Sequence, residues 1–253
     1  MPAVLHQSLP EDMRQSRRLP GIAPARPGDW LRVDHAYEGQ MRCRTALLNG
    51  RPAHVFQCLP QATGAAEELL QTALELMQAA PELGFAVTTD SITRPDGGRV
   101  ARTGHPLMIL GQVLQQDLCL LQQQHTEHVL TGAVLCFPSN WYLSEKIGRP
   151  LSVIHDPVAE YDANIAKRVQ RLFDGVQVSR PIWRFNQLWH ESSDLFQPER
   201  IPPTLPPAQR PFYRTERQTL FRLPLSKAVV FSIHTYVMEA AQARRCLAAS
   251  HPG

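Results

Sequence analysis

The 253-residue sequence is 43% hydrophobic and 19% charged, enough apolar material for a buried core and too ordinary a charge content for wholesale disorder. Its formal net charge of +3 comes with no basic run of the kind that grips nucleic acid. Apolar stretches such as Ala228 to Ile233 are far too short to cross a bilayer, and the opening residues lack the basic start and apolar run of a secretory leader, so the expectation is a cytoplasmic chain without membrane or nucleic-acid partners.

Residues 1–29 carry Pro2, Pro10, Pro20, Pro24 and Pro27 among scattered charges and predict an extended arm, leaving 30–250 as the domain. Met41, Cys43, Thr45 and Leu47 alternate with Arg42, Arg44 and Ala46; Asn49-Gly50 follows, and Ala53 to Leu59 completes a predicted hairpin, because both positions of such a turn need positive φ. Leu69, Leu70, Ala73, Leu74, Met77 and Ala80 recur at helical spacing over Ala65 to Ala80, and Pro81 is the stop. Pro95-Asp96-Gly97-Gly98 predicts a turn. Pro106 then opens a helix whose rows run through Met108, Ile109, Gln112, Val113, Gln116 and Leu120. Val129 to Phe137 reads as a buried strand.

Ser139 or Asn140 caps a short helix that Gly148 ends. The apolar run Leu151-Ser152-Val153-Ile154 leads to His155. Asp156-Pro157 opens a longer helix with Val158, Tyr161, Ile165, Val169 and Leu172 on one face, closed by Asp174-Gly175. The proline-rich stretch from Gln197 to Pro211 is a surface loop or covering strap. Arg217 to Leu223 and Ala228 to Val237 alternate at period two around Pro224-Leu225-Ser226-Lys227, a long hairpin, and Met238 to Ala249 is a last helix. Helices set between hairpins, without strict strand–helix alternation, predict an α+β fold with helices on an antiparallel sheet.

The five cysteines (Cys43, Cys58, Cys119, Cys136, Cys246) are odd in number, widely spaced and without a CxxC pair. They read as reduced, buried or half-buried thiols, and this chain holds neither an iron–sulfur cluster nor a zinc ribbon of its own. No GxGxxG, GxxxxGK[ST], HExxH or GxSxG motif is present, which removes the usual support for nucleotide and serine hydrolysis. His125-Thr126-Glu127-His128 offers two imidazoles at a spacing that one helix face can share; the alternative is a solvated helix end. Asp117 with Cys119, and His190 with Glu191, are sequence neighbours with no orienting third group. His155 stands between an apolar run and the Asp156-Pro157 helix start. A helix N-terminus there disfavours imidazolium and leaves a neutral ring suited to a metal, while a capping or core histidine is the other reading.

Several blocks, in order, resemble the haem-dependent oxidative N-demethylase family (alpha-subunit-like). They are Leu114-Gln115-Gln116-Asp117-Leu118-Cys119-Leu120, Cys136-Phe137-Pro138-Ser139-Asn140-Trp141, Glu145-Lys146-Ile147-Gly148-Arg149-Pro150-Leu151, Ile154-His155-Asp156-Pro157-Val158, Arg184-Phe185-Asn186 and Glu216-Arg217-Gln218-Thr219-Leu220-Phe221-Arg222-Leu223-Pro224. The resemblance implies a PAS-like antiparallel sheet with surrounding helices, holding haem b. It implies oxidative demethylation of a small secondary amine such as dimethylamine by O2, with release of formaldehyde. Electrons would come from a separate flavin and iron–sulfur reductase subunit. It assigns His155 as the iron ligand and Lys146, Arg149, Arg217 and Arg222 as cations in the matching blocks, candidates to pair with haem propionates. Phe137 and Trp141 are candidate pocket walls, and Tyr142, Tyr161 and His234 candidate polar groups facing it. Gln116, Ala159 and His234 depart from the family pattern, which leaves the substrate open. A haem or small-ligand sensing module on the same fold, and a haem-free subunit of a larger complex, are the other readings.

Overall fold

The computed structural model describes residues 3–14, 21–155 and 163–248. In chain order it runs β1 (Ala23–Pro24), α1 (Tyr37–Gly50), α2 (Pro52–Val55), β2 (Phe56–Cys58), α3 (Thr63–Ala79), β3 (Ala86–Val87), β4 (Ser91–Thr93), β5 (Arg99–Ala101) and α4 (Pro106–Val113). Then come β6 (Asp117–Gln124), β7 (Glu127–Val134), α5 (Leu143–Lys146), α6 (Leu151–His155) and α7 (Ala163–Gly175). The chain ends with β8 (Ile182–Phe185), β9 (Leu188–His190), β10 (Phe212–Arg222), β11 (Val229–Glu239) and α8 (Ala240–Ala248).

Among the described residues the main sheet has eight strands in the order β1-β8-β10-β11-β6-β7-β2, with β9 also on β10, and every printed pairing is antiparallel. Within it β7-β6-β11-β10-β8 are the second, first, fifth, fourth and third strands of a PAS-like core. Strand alternation sends the two sets of side chains to opposite layers. Leu118, Leu120, Val134, Phe221 and Val230 pack with α1, α3 and α4. Cys119, Leu121, Ala133, Leu135, Leu220 and Ile233 pack with Leu143 of α5, Leu151 of α6 and Phe173 of α7. A bulge between Leu120 and Leu121 leaves Thr131 as the extra residue of β7, so Ala133 and Leu130 both face the second layer. Helix α4 lies close on the sheet because Gly111 has no side chain: a Cβ there would meet Val134 Cγ2 at 2.5 Å.

The strand ends are fixed by a buried ion pair. Arg44 Nη1 donates to Asp117 Oδ1 at 2.6 Å, both side chains 0% exposed. Asp117 also accepts from the backbone N–H groups of Cys136 (2.7 Å) and Phe137 (2.8 Å), and Arg44 donates to the carbonyls of Gly111 and Gln115.

Four sequence readings change. Tyr37–Gly50 is helix, not half of a hairpin. Its buried stripe is Tyr37, Gln40, Met41, Arg44, Leu47 and Leu48, and two polar members hid the helical period. The helix from Pro106 ends at Val113, because Asp117 to Leu121 is buried on both faces and joins the sheet. His125 to His128 is a hairpin turn and the start of β7, with His125 at φ 53° and His128 buried. Leu151–His155 is helical. The expected helix start at Asp156-Pro157 lies outside the described residues.

Replacing Arg44 by Met is expected to cost about 3–5 kcal/mol by leaving a buried carboxylate unpaired. The double variant Arg44→Met/Asp117→Leu stays destabilised, because the N–H groups of Cys136 and Phe137 lose their acceptor. Urea unfolding measures both, and a double variant as stable as the parent would show that those two N–H bonds contribute nothing.

Candidate functional site

The sheet face beneath α5, α6 and α7 is apolar along β6 and β7 and turns polar along β10 and its neighbours. Leu220 pairs with Phe231 on one side and Ile182 on the other; two residues back, Gln218 pairs with Ile233 and Arg184; two further, Glu216 pairs with Thr235. Period-two alternation therefore puts Arg184, Gln218, Glu216, Thr235 and Arg214 on the face that Leu220, Ile233 and Ile182 share with the apolar cluster.

The polar groups there are unevenly satisfied. Glu216 Oε2 accepts from Asn186 Nδ2 and Gln218 Nε2, each at 3.1 Å, and Oε1 lies 3.4 Å from Arg214 Nη2. Arg214 also donates to the carbonyls of Leu195 and Phe137. The half-buried guanidinium of Arg184 makes no hydrogen bond with any described residue, and its Nε is buried, as are Arg214 Nε and Thr235 Oγ1, without partners. Burial depresses the pKa of Arg184, with Glu216 opposing. Buried polar atoms are rarely left so, since each costs about 1–3 kcal/mol.

On the helical side, His155 is the last residue of α6, and its imidazole lies outside what the structure describes. The run before His155 is helical, Leu151–His155, where a strand–helix junction was the expectation, and the helix start expected at Asp156-Pro157 lies outside the described residues. Lys146 Nζ donates to the carbonyl of Ile154 at 2.7 Å and so caps α6 immediately before His155. The same ammonium lies 5.0 Å from the Trp141 ring, and burial, then Arg200, pushes its pKa down to about 8.

The other cations singled out from the sequence are dispersed. Arg149 is exposed at the turn before α6, its carbonyl accepting from Leu130 N. Arg217 is on the opposite face of β10, 3.7 Å from the Trp183 ring centre and paired with Asp12 and Asp29. Arg222 caps α7, donating to Val176, Phe173 and Lys227 carbonyls. Trp141 packs against the cluster under α5–α7, whereas Phe137 belongs to the other layer, below Arg44. Tyr161 lies outside the described residues, and His234 is on the opposite face. Arg184, Arg214 and Glu216 were not singled out as site residues, although the period of β10 carries the signal: every second residue from Leu220 back to Arg214 is on one face.

Neighbour pairs do not act together. Asp117 is engaged by Arg44, and Cys119 points to the other layer. Glu191 binds Thr204 Oγ1 and Leu205 N, while His190 Nδ1 lies 3.2 Å from Gln197 Oε1. His190 lines a surface cleft of about 540 Å³ with Trp189, Asn140, Phe196 and Arg210, away from α6.

His6, Asp34 and His234 bring two imidazoles and a carboxylate within 4.8 Å, a metal-like set. Their hydrogen bonds argue for structure instead. His6 Nε2 (3.0 Å) and His234 Nε2 (2.9 Å) both donate to Asp34 Oδ2. His6 Nδ1 accepts from Val237 N at 3.2 Å, so the ring proton is on Nε2. A metal at Nε2 would move that proton to Nδ1, against a backbone donor. The set staples the N-terminal arm to β11. Burial raises the Asp34 pKa, but the bonds from His234 and His6 outweigh it and hold the carboxyl well below its usual range; burial lowers that of His234, partly offset by Asp34.

Residues 21–249 match the family model described as haem-dependent oxidative N-demethylase, alpha subunit-like. No curated protein matches the chain.

Stability is expected to fall on acidification. His234 has an ordinary value of 6.5 and a lower one when folded, so below pH 6.5 the unfolded chain takes up a proton that the native ring refuses. Asp34 adds a loss at lower pH, as its depressed carboxyl is protonated first in the unfolded chain. His234→Gln makes the acid slope of the urea midpoint shallower, by up to about 1.4 kcal/mol per pH unit. An unchanged slope would remove His234 as a contributor.

Proposed function

The chain belongs to the haem-dependent oxidative N-demethylase, alpha subunit-like family, and from that premise we propose that it holds haem b between α5–α7 and the sheet and demethylates a small secondary amine. The substrate is dimethylamine-like, formaldehyde is the product, and a separate flavin and iron–sulfur reductase subunit supplies electrons. The observation that carries the reading is the composition of one buried face: an apolar centre bordered by cationic groups with unfilled hydrogen-bonding capacity. A flat ligand, apolar across its middle and anionic at one edge, satisfies both halves.

In this reading His155 is the iron ligand and the sole metal-binding residue. Haem, when bound, supplies the redox chemistry with O2. The chain supplies placement. Lys146 fixes the carbonyl of Ile154, the residue before His155; it is a positioning residue. Arg149, exposed beside α6, is open to a carboxylate at the rim, whereas Arg217 and Arg222 are committed elsewhere. Cys119, Leu121, Ala133, Leu220 and Ile233 exclude water from the sheet side. The thiol of Cys119 stays protonated, because burial raises its pKa strongly, and so is no competing ligand at neutral pH.

Protein expressed with added haem is expected to show a Soret band of a histidine-ligated haem that shifts on dithionite reduction. His155→Ala loses that signature, and an unchanged spectrum would remove the ligand assignment. Dimethylamine-dependent O2 uptake with formaldehyde release, in the presence of a reductase, separates an enzyme from a haem sensor, and absence of any Soret band from the parent protein selects the haem-free subunit. Lys146→Met is expected to weaken haem retention while keeping the histidine-type spectrum.

A further inference from the structure

We propose that Arg184 is the seat of a carboxylate on the ligand held against the β8–β10–β11 face, a proposal that rests on the ligand-binding reading above and names its anionic anchor. The argument begins with charge. Among the described residues the face carries two guanidinium groups, Arg184 and Arg214, against one carboxylate, Glu216, so it is short of one negative charge. Glu216 is not the missing partner of Arg184: one oxygen holds Asn186 and Gln218, and the other faces Arg214.

Among the described residues Arg184 therefore presents an open fork, with Nε buried and unpartnered, and the same face carries a second unpartnered group, the Thr235 hydroxyl two strands away on β11. Water could satisfy an N–H but not the charge. A carboxylate does both, because its two oxygens match the planar guanidinium fork. Arg217 and Arg222, by contrast, have their charge engaged, Arg217 by Asp12 and Asp29 although its Nε is left over, and Arg222 by carbonyls at the end of α7.

Two sources offer this chemistry: a propionate of the bound haem, or the carboxylate of an N-methyl amino acid used as substrate. The probes are haem, iron-free protoporphyrin IX and the dimethyl ester of each, with N-methylglycine and dimethylamine as amines. Binding of the porphyrins is followed by absorption and fluorescence in the full-length protein and in Arg184→Gln and Arg184→Lys. If the source is a propionate, Arg184→Gln weakens protoporphyrin and haem by about 10- to 100-fold, the esters bind both proteins alike, and Arg184→Lys recovers part of the loss. If the source is the substrate, porphyrin affinities stay unchanged, while the spectral shift caused by N-methylglycine is lost in Arg184→Gln and any caused by dimethylamine is kept.

Arg184→Gln that leaves every one of these affinities unchanged overturns the proposal, as does a parent protein that binds neither porphyrin nor N-methylglycine. Because protoporphyrin IX has no iron, a failure of the His155 assignment leaves the Arg184 result intact. The apo-protein supplies a folding control: removing an unpaired, half-buried charge should hold or raise the urea midpoint, and a large drop would instead mark Arg184 as a structural residue.

Discussion

A charge pair withdrawn from water, Arg44 with Asp117, sits where four segments meet: helix α1, the end of α4, the first residue of β6 and the exit of β7. Desolvating two ions costs several kcal/mol each, and an ion pair alone seldom recovers that. Here most of the remaining capacity is used, Arg44 Nη2 alone among the pair's nitrogens and oxygens being without a partner among the described residues. The guanidinium reaches two carbonyls released where α4 ends, and the carboxylate receives two N–H groups where β7 ends. The pair therefore works as a junction for backbone ends that have no ladder or helix partner. Along β6, alternation sends Leu118 and Leu120 into one layer and Cys119 and Leu121 into the other.

The two faces of β10 and β11 consequently carry different kinds of polar group. On the face turned to the N-terminal arm, His234, His6 and Asp34 form a network in which each ring nitrogen has a role, and Gln115 joins Asp34 to Gln40. Atoms left over there, such as Gln116 Oε1 and Arg217 Nε, belong to side chains that are anchored through their other atoms. On the face turned to α5–α7, Arg184 has no hydrogen bond by which to be anchored among the described residues. A network that closes on itself specifies packing; one that stays open specifies a guest.

Much of this was legible in the sequence where one period dominates. Thr63–Ala79 and the β10–β11 hairpin follow their apolar rows directly, and the Phe-Pro-Ser and Ile-His-Asp-Pro blocks carried the family, which the match over residues 21–249 shows. Helix α1 was illegible for a physical reason: its buried stripe includes Gln40 and Arg44, whose partners Thr235 and Asp117 are distant in sequence. Asn49-Gly50, a strong hairpin signal, ends a helix instead, since burial of Met41, Leu47 and Leu48 outweighs local turn preference. Arg217 and Arg222 looked like ligand cations because their partners, Asp12 and the end of α7, come together only on folding. Arg184 went unnoticed for the converse reason. Its lack of partners is a property of the folded face, and no local pattern announces it.

His155 and Arg184 thus come from opposite layers, one from the end of a helix capped by Lys146, the other from a strand of the sheet. In the proposed reading a ligand between them would be held by groups whose separation follows from how α5–α7 pack on Cys119, Leu121, Leu130 and Ala133. Short helices such as α5 and α6, of four and five residues, have little stability of their own and depend on that packing. Whatever binds the folded face alone stabilises it by mass action. On the proposed reading, occupancy of the face and the order of the helices over it are linked, because the cation left without a partner among the described residues would be the group that an anionic ligand satisfies.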